Sequence, residues 1–270
     1  MKFITKKDIV MPKRKKRSHK GDSGRVLIIG GSREYIGALA LAGLAALRSG
    51  ADLVTIAAPS KVAWAVNCLS PDLITIKLDG SYIEEKHKNK LLALADKSDA
   101  VLIGSGIGMK KQTQLIVKTL IRQIKKPIVI DADAIKTISL KDAANTIITP
   151  HKKEFELLLQ NSGIREKDIK RSIDSNVILL KGSIDRIITK KTTFYNKTGN
   201  PGMTVAGTGD VLAGLCTGFL AQGLSLQQSA VNSAYLCGIA GDILKNKKKG
   251  FAYIASDIVA ELKRIRKTSA

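Results

Sequence analysis

Aromatic side chains are scarce in this sequence, 4% of 270 residues, which excludes a core of stacked rings and leaves burial to Ile, Leu, Val and Ala within an apolar share of 44%. That supply suits a sheet covered by helices on both faces. Cysteine is sparse too. Cys68, Cys216 and Cys237 are odd in number, far apart and never spaced Cys-x-x-Cys, so neither a disulfide framework nor a zinc site is expected, and a reducing compartment fits best. His19, His87 and His151 are the only histidines, too few for a histidine-rich metal centre. The apolar runs Ile36 to Leu47 and Val211 to Leu220 fall short of the roughly 20 residues a membrane span needs, and the charged start lacks a signal core. A cytoplasmic protein is therefore expected. No Gly-x-x-x-x-Gly-Lys-Ser/Thr and no Gly-x-Gly-x-x-Gly occurs, which disfavours a P-loop enzyme and a dinucleotide fingerprint. With no internal repeat and no Pro- or Ser-rich linker, one large α/β domain is the expected count.

Acidic residues are few as well, 23 against 45 lysines and arginines, for a formal charge of +22. An excess of that size favours anionic partners such as nucleotides, nucleic acids or acidic membranes, without choosing among them. It is densest in Lys13-Arg14-Lys15-Lys16-Arg17, in Lys247-Lys248-Lys249, and in Lys263, Arg264, Arg266 and Lys267. Such runs usually mark solvated surface. Residues 1–17 read as a basic N-terminal arm and 18–270 as the domain.

The fold proper starts at Arg25. Val26-Leu27-Ile28-Ile29 is a continuous apolar run ending at Gly30-Gly31-Ser32, the pattern of a strand buried on both faces and closed by a tight turn. A helix rich in Ala and Leu is predicted over Gly37 to Arg48 with Gly50 as its stop, then a strand over Leu53 to Ala57, giving the right-handed crossover of a parallel sheet. The alternation continues with strands at Ala100 to Ile103, Pro127 to Ile130, Thr146 to Ile148 and Val177 to Leu180, and helices at Gln112 to Ile124 and from about Lys153. Asp185 to Tyr195 reads as a hairpin, which places antiparallel strands at one edge. Helices over Val211 to Ala221, Leu226 to Leu244 and Ile258 to Ile265 close the chain.

The most specific motif is Asn200-Pro201-Gly202-Met203 followed by Gly207-Thr208-Gly209-Asp210 at the start of a helix. Glycines let several amide N–H groups converge, and the helix N-terminus adds its dipole, so the turn suits a phosphate. A carboxylate there repels such a ligand unless it has its own task. Asp210 is accordingly the candidate general base, with a helix N-cap as the bland alternative. Thr149-Pro150-His151 and Lys181-Gly182-Ser183 follow strands, at the end where open parallel sheets bind ligands. So do Asp131 and Asp133, which could hold magnesium through water, shape the site or cap a helix, and Gly104-Ser105-Gly106-Ile107-Gly108.

In combination these residues resemble the ADP-dependent NAD(P)H-hydrate dehydratase family. The likeness runs from about Ser18 to the last helix, on Ser18-His19-Lys20-Gly21, Gly24-Arg25-Val26, Gly30-Gly31-Ser32, Gly37-Ala38, Asp131-Ala132-Asp133-Ala134, Thr149-Pro150-His151 and Gly207 to Asp210. The resemblance implies a ribokinase-like three-layer α/β/α sandwich, mostly parallel with antiparallel edge strands. It also implies an enzyme, a carbon–oxygen lyase that uses ADP, or ATP in some lineages, with Mg²⁺. Such an enzyme phosphorylates the hydroxyl of hydrated NADH or NADPH and restores the nicotinamide as phosphate leaves. By resemblance Asp210 touches the hydrate and acts as base; Gly207, Thr208 and Gly209 hold the transferred phosphates; Lys181, Gly182, Ser183, Ile184 and Asp185 bind the nucleotide; and Leu39, Gly106 and His151 line the hydrate. No metal ligand is assigned. A homo-oligomer is expected, and the residues before Ser18 are expected to leave no room for the epimerase domain that some relatives carry ahead of this one. Two positions depart from the family pattern: Lys153 stands before Glu154 where glycine is usual, and Ala206 stands before Gly207 where glycine is usual.

Two other readings use the same residues. A ribokinase-fold kinase acting on a sugar or a hydroxymethylpyrimidine needs the same turn and base, but not the histidine turn or the Ser-His-Lys-Gly element. A nucleic-acid-binding protein would use the basic arm and tail; no recognition motif accompanies the charge, so neither nucleic acid nor membrane is the expected partner.

Overall fold

A computed structural model describes residues 1–14, 16–247 and 250–268. Lys15, Lys248 and Lys249 of the basic runs lie outside the described residues. Ten strands form one sheet: β1 (Lys2–Phe3), β2 (Arg25–Ile29), β3 (Leu53–Pro59), β4 (Ile74–Leu78), β5 (Ala100–Ile103), β6 (Ile128–Ile130), β7 (Thr146–Ile148), β8 (Val177–Leu180), β9 (Asp185–Ile188) and β10 (Thr193–Asn196). Their order is β1-β10-β9-β8-β7-β6-β5-β2-β3-β4. Only β9 runs against its neighbours, because the turn after Ile188 is too short for anything but a hairpin. The expected antiparallel edge is therefore one reversed strand, with β1 added outside β10 in parallel.

The helices are α1 (Ile36–Ser49), α2 (Ser60–Leu69), α3 (Lys88–Asp96), α4 (Lys111–Gln123), α5 (Lys152–Ser162), α6 (Ile169–Ser172), α7 (Thr208–Ala221), α8 (Leu226–Lys247) and α9 (Ala255–Thr268). Successive strand residues point to opposite faces, so each central strand feeds two cores. Val26, Ile28, Leu102 and Val129 pack with α1, α2, α7, α8 and α9. Leu27, Ile29, Ile103 and Ile130 pack with α3, α4, α5 and α6. The result is the expected three-layer sandwich. On the first face α1 and α7 lie so close that a side-chain carbon at Gly214 would stand 2.1 Å from the Ala42 carbonyl oxygen, a crossing that only glycine permits.

The stretch from Ser60 to Asp96, for which no element is expected above, holds α2, β4 and α3. The N-terminal segment also differs from expectation. Ile4 is buried, its N–H donates to the Tyr195 carbonyl at 2.8 Å, and Asn232 on α8 grips Val10 through both backbone groups. The arm is strapped onto the domain, because Ile4 and Met11 carry enough apolar surface to pack against the first core.

Candidate functional site

Strand order reverses between β2 and β5: the chain leaves β2 towards β3 and β4, then returns to β5 on the other side. The carboxyl ends of two such strands open a crevice, the place where sheets of this kind bind ligands. The turns there are Gly30-Gly31-Ser32 and Gly104-Ser105-Gly106, joined by the Gly31 N–H donating to the Ser105 carbonyl at 2.9 Å. Leu39 is fully buried beneath the first turn, its side chain filling the space a side chain at Gly31 would need. From the first turn of α1 it supports the crevice from below.

Gly207 precedes α7 with φ +94°, and a side-chain carbon there would stand 2.5 Å from Leu41, so the position demands glycine. Gly207 is the N-cap and makes no side-chain cap, which leaves the first amides of α7 directed outward. Asp210 is the third residue of the helix rather than its cap. Thr208 turns its hydroxyl back to the Met203 and Val205 carbonyls at 2.8 and 3.1 Å, fixing the turn from inside.

Behind this turn stands a buried polar cluster. Asp131, at the end of β6, accepts from Thr149 Oγ1 at 2.7 Å and pairs with Lys181 Nζ at 3.1 Å. Lys181 ends β8, and its ammonium lies 3.4 Å from where a side-chain carbon at Gly209 would sit. The lysine and the helix N-terminus thus present positive charge to the same point. Burial works against the Lys181 charge, but the Asp131, Glu154 and Asp210 carboxylates outweigh it and raise its pKa. Burial pushes the Asp210 carboxyl up to about 6, and Asp131 adds to the rise. Lys181 opposes it, as does Ser105, whose fully buried hydroxyl finds no partner at ordinary hydrogen-bond length.

The Lys181–Asp185 segment is closed by Asp185, which accepts from the Gly182 N–H at 3.0 Å and from Asn196 Nδ2 at 3.1 Å. Ser183 and Ile184 between them are exposed. Burial raises the Asp185 pKa against both of those bonds. His151 is exposed and caps α5 reciprocally with Glu154: its N–H donates to Glu154 Oε2 at 2.9 Å, and its Nδ1 accepts from the Glu154 N–H at 3.3 Å. The Lys181 N–H donates to the Pro150 carbonyl at 2.8 Å, which draws the histidine turn to the lysine strand. Asp133 is held by the Gly108 N–H at 3.0 Å and Lys136 at 2.7 Å. Between the two aspartates Ala132 takes φ +51°, a strained conformation costing about 1 kcal/mol or more. Among the described residues no group of three or more His, Cys, Asp or Glu side chains converges as a metal site.

The structure thus brings Asp210, Gly207–Gly209 and Lys181 to one point, with Asp131 behind them. It places Gly106 on the turn after β5 and His151 on the turn after β7, with the β6 turn between them, and Leu39 below the Gly30-Gly31 turn. Tyr35 and Asn196 were not singled out by sequence reasoning, and Ser105 was noted only as part of the Gly104–Gly108 run. Tyr35, 58% exposed, has a side-chain carbon within 2.6 Å of where one at Gly106 would be, and its signal was available: an aromatic in a chain with few of them, beside a glycine-rich turn.

The family model described as NAD(P)H-hydrate dehydratase matches residues 26–264. A bifunctional NAD(P)H-hydrate repair enzyme of Methanothermobacter thermautotrophicus is 43% identical over 92% of this chain and 51% of its own length. The chain therefore spans about half the length of the curated relatives it matches first. An ADP-dependent (S)-NAD(P)H-hydrate dehydratase of Nitrosopumilus maritimus is 36% identical over 95% of this chain and 93% of its own length. Among solved structures, the ADP/ATP-dependent NAD(P)H-hydrate dehydratase of Bacillus subtilis, co-crystallized with ATP/Mg²⁺, superposes with TM-score 0.82 at 25% identity, covering 100% of this chain and 99% of that one. With the match spanning nearly the whole sheet and every turn at its ligand end, the chain belongs to the NAD(P)H-hydrate dehydratase family.

Proposed function

We propose that this protein is an ADP-dependent (S)-NAD(P)H-hydrate dehydratase of the cytoplasm, working as a homo-oligomer. The observation that carries the reading is the Asp210 carboxyl, lifted to about 6, standing in the first turn of a helix whose N-terminus and Lys181 attract phosphate. A base of that pKa is ionised at neutral pH yet still accepts a proton readily.

In this reading the amides of Gly207, Thr208 and Gly209 and the Lys181 ammonium hold the phosphates of the nucleotide, and Ser183, Ile184 and Asp185 follow its outer part. Asp210 takes the proton from the hydrate hydroxyl as that oxygen attacks the terminal phosphorus, whose bond to the bridging oxygen breaks so that the nucleotide leaves one phosphate shorter. Lys181, kept charged by Asp131, balances the negative charge on the transferred group. The C–O bond then breaks with release of phosphate, the neighbouring ring carbon gives up a proton to solvent, and the double bond so formed restores the nicotinamide. His151 and Gly106 border the hydrate, with Leu39 as the floor. The residues present fit magnesium only as a partner of the nucleotide: Asp131 and Asp133 are already bound to lysines, so the ion would ride on the phosphates and water.

The test is incubation with hydrated NADH or NADPH, Mg²⁺ and ADP or ATP. Recovery of reduced-nicotinamide absorbance with one phosphate released per cofactor is expected. A stable phosphorylated product would instead make the protein a kinase of the same fold.

A further inference from the structure

The three basic runs of the sequence are far apart in the chain, yet the fold gathers parts of all three on one face. Lys13 and Arg14 line a cleft with Ser23, Gly50 and Gln222. Two residues away, Arg48 lines an open trough of about 550 Å³ with Lys263 and Arg264 of α9. Arg48 of the trough and Gly50 of the cleft are separated only by Ser49 at the end of α1, which sets the two side by side. Lys247 joins from α8 by bonding Glu261 at 2.7 and 2.9 Å.

The acids on this face are already engaged. Asp52 is nearly buried, paired with Arg14 and accepting from the Gly21 and Ser23 N–H groups. Glu261 is buried between Lys247 and Arg264. Asp22 and Asp257 accept from the backbone N–H groups of His19 and Ile254. The exposed charge that remains, on Lys13, Lys16, Arg17, Lys20, Arg48 and Lys263 against Asp22, is strongly positive. The arm displaying it is fixed by the Asn232 clamp and the Asp52 pair rather than free, so binding need not order it first. The face lies at the far end of α7 from Asp210; 14 residues at ~1.5 Å per residue put about 20 Å between them.

We propose that this trough binds the phosphate backbone of nucleic acid without reading its sequence. Its concave, predominantly basic surface matches a flexible chain of phosphates. Among the described residues no aromatic side chain lines the cleft or the trough to stack on bases, so different homopolymers should bind alike. A bilayer is the poorer fit: a flat membrane surface cannot follow a trough, and no large exposed apolar residue lines this one.

The test is fluorescence anisotropy of labelled oligouridylate and oligoadenylate with the full chain between 50 and 200 mM salt. Each phosphate contact should contribute a slope of about −0.7 in log K against log salt. The triple variant Lys13→Gln/Arg48→Gln/Lys263→Gln should lower affinity more than about tenfold at low salt and flatten the slope by about 2. A control on the opposite face, Lys125→Gln/Lys141→Gln/Lys170→Gln, should bind as the parent does. All six side chains are exposed, so both variants keep the fold. Absence of oligonucleotide binding at 50 mM salt, equal losses in the two variants, or binding only to phosphatidylserine vesicles would each overturn the proposal.

Discussion

Asp131 and Lys181 form an ion pair of 3.1 Å directly behind the helix turn that carries Asp210. One member raises the pKa of the Asp210 carboxyl and the other lowers it, so the pair sets the strength of the candidate base from two sides. Asp131→Asn removes the carboxylate that raises it, and the acid limb of the rate profile should move to lower pH. It also leaves Lys181 without its main partner, at a cost of about 3 kcal/mol for breaking a buried pair. Thermal melts and a pH series on one protein sample check both effects, and they should occur together.

Asp210→Asn should lower turnover by at least about a thousandfold, at the strong end of general-base effects, while calorimetry finds ADP binding nearly unchanged. The same change should stabilise the protein. The folded pKa of about 6 lies above the ordinary 3.8. Well below pH 3.8 the carboxyl is neutral in both states; stability is lost as pH rises from there through about 6, where the unfolded state ionises before the folded one, and stays lower above it. The variant should therefore be more stable than the parent at pH 7.5, by on the order of 2 kcal/mol, and melt at nearly the same temperature at pH 3.

Gly209→Ala adds a methyl 3.4 Å from the Lys181 ammonium and over the amides of the turn. Alanine is the better helix former, so stability should hold within about 1 kcal/mol. The dissociation constant for ADP, measured by calorimetry, should rise about tenfold, because the methyl fills the space between the turn and the ammonium where the phosphate would sit.

Chelation separates fold from function. With no converging metal ligands among the described residues, EDTA should leave the melting temperature of the nucleotide-free protein unchanged. It should abolish turnover, since the ion enters with the phosphates. Differential scanning calorimetry and the repair assay on one preparation check the two halves.

The central strands were legible because Val26 to Ile29 and Ala100 to Ile103 are buried on both faces and so read as unbroken apolar runs. β4 was not legible, for a physical reason. At the sheet edge Ile74 is 45% exposed while Thr75 is buried and bonded to Asn67 at 2.6 Å, so polarity runs opposite to the usual alternation. In α3 only Leu91 and Ala95 are buried, too few to set a helical period. The Gly207 to Asp210 turn could be read as an anion site because glycine content and helix start are local properties. The Asp131–Lys181–Thr149 cluster could not, because three strand ends distant in sequence meet only once β6, β7 and β8 lie side by side. The packed N-terminal arm was hidden likewise: two apolar anchors, Ile4 and Met11, are too few to show a pattern among so many lysines.

The most direct test of Asp210 as base is the pH dependence of kcat/KM for hydrated NADH with ADP saturating. The account predicts an acid limb half-maximal near pH 6, full activity above it and a single-proton slope below. A rate that stays level until the ordinary carboxylate range near pH 4 would show that the proton goes elsewhere and contradict the assignment.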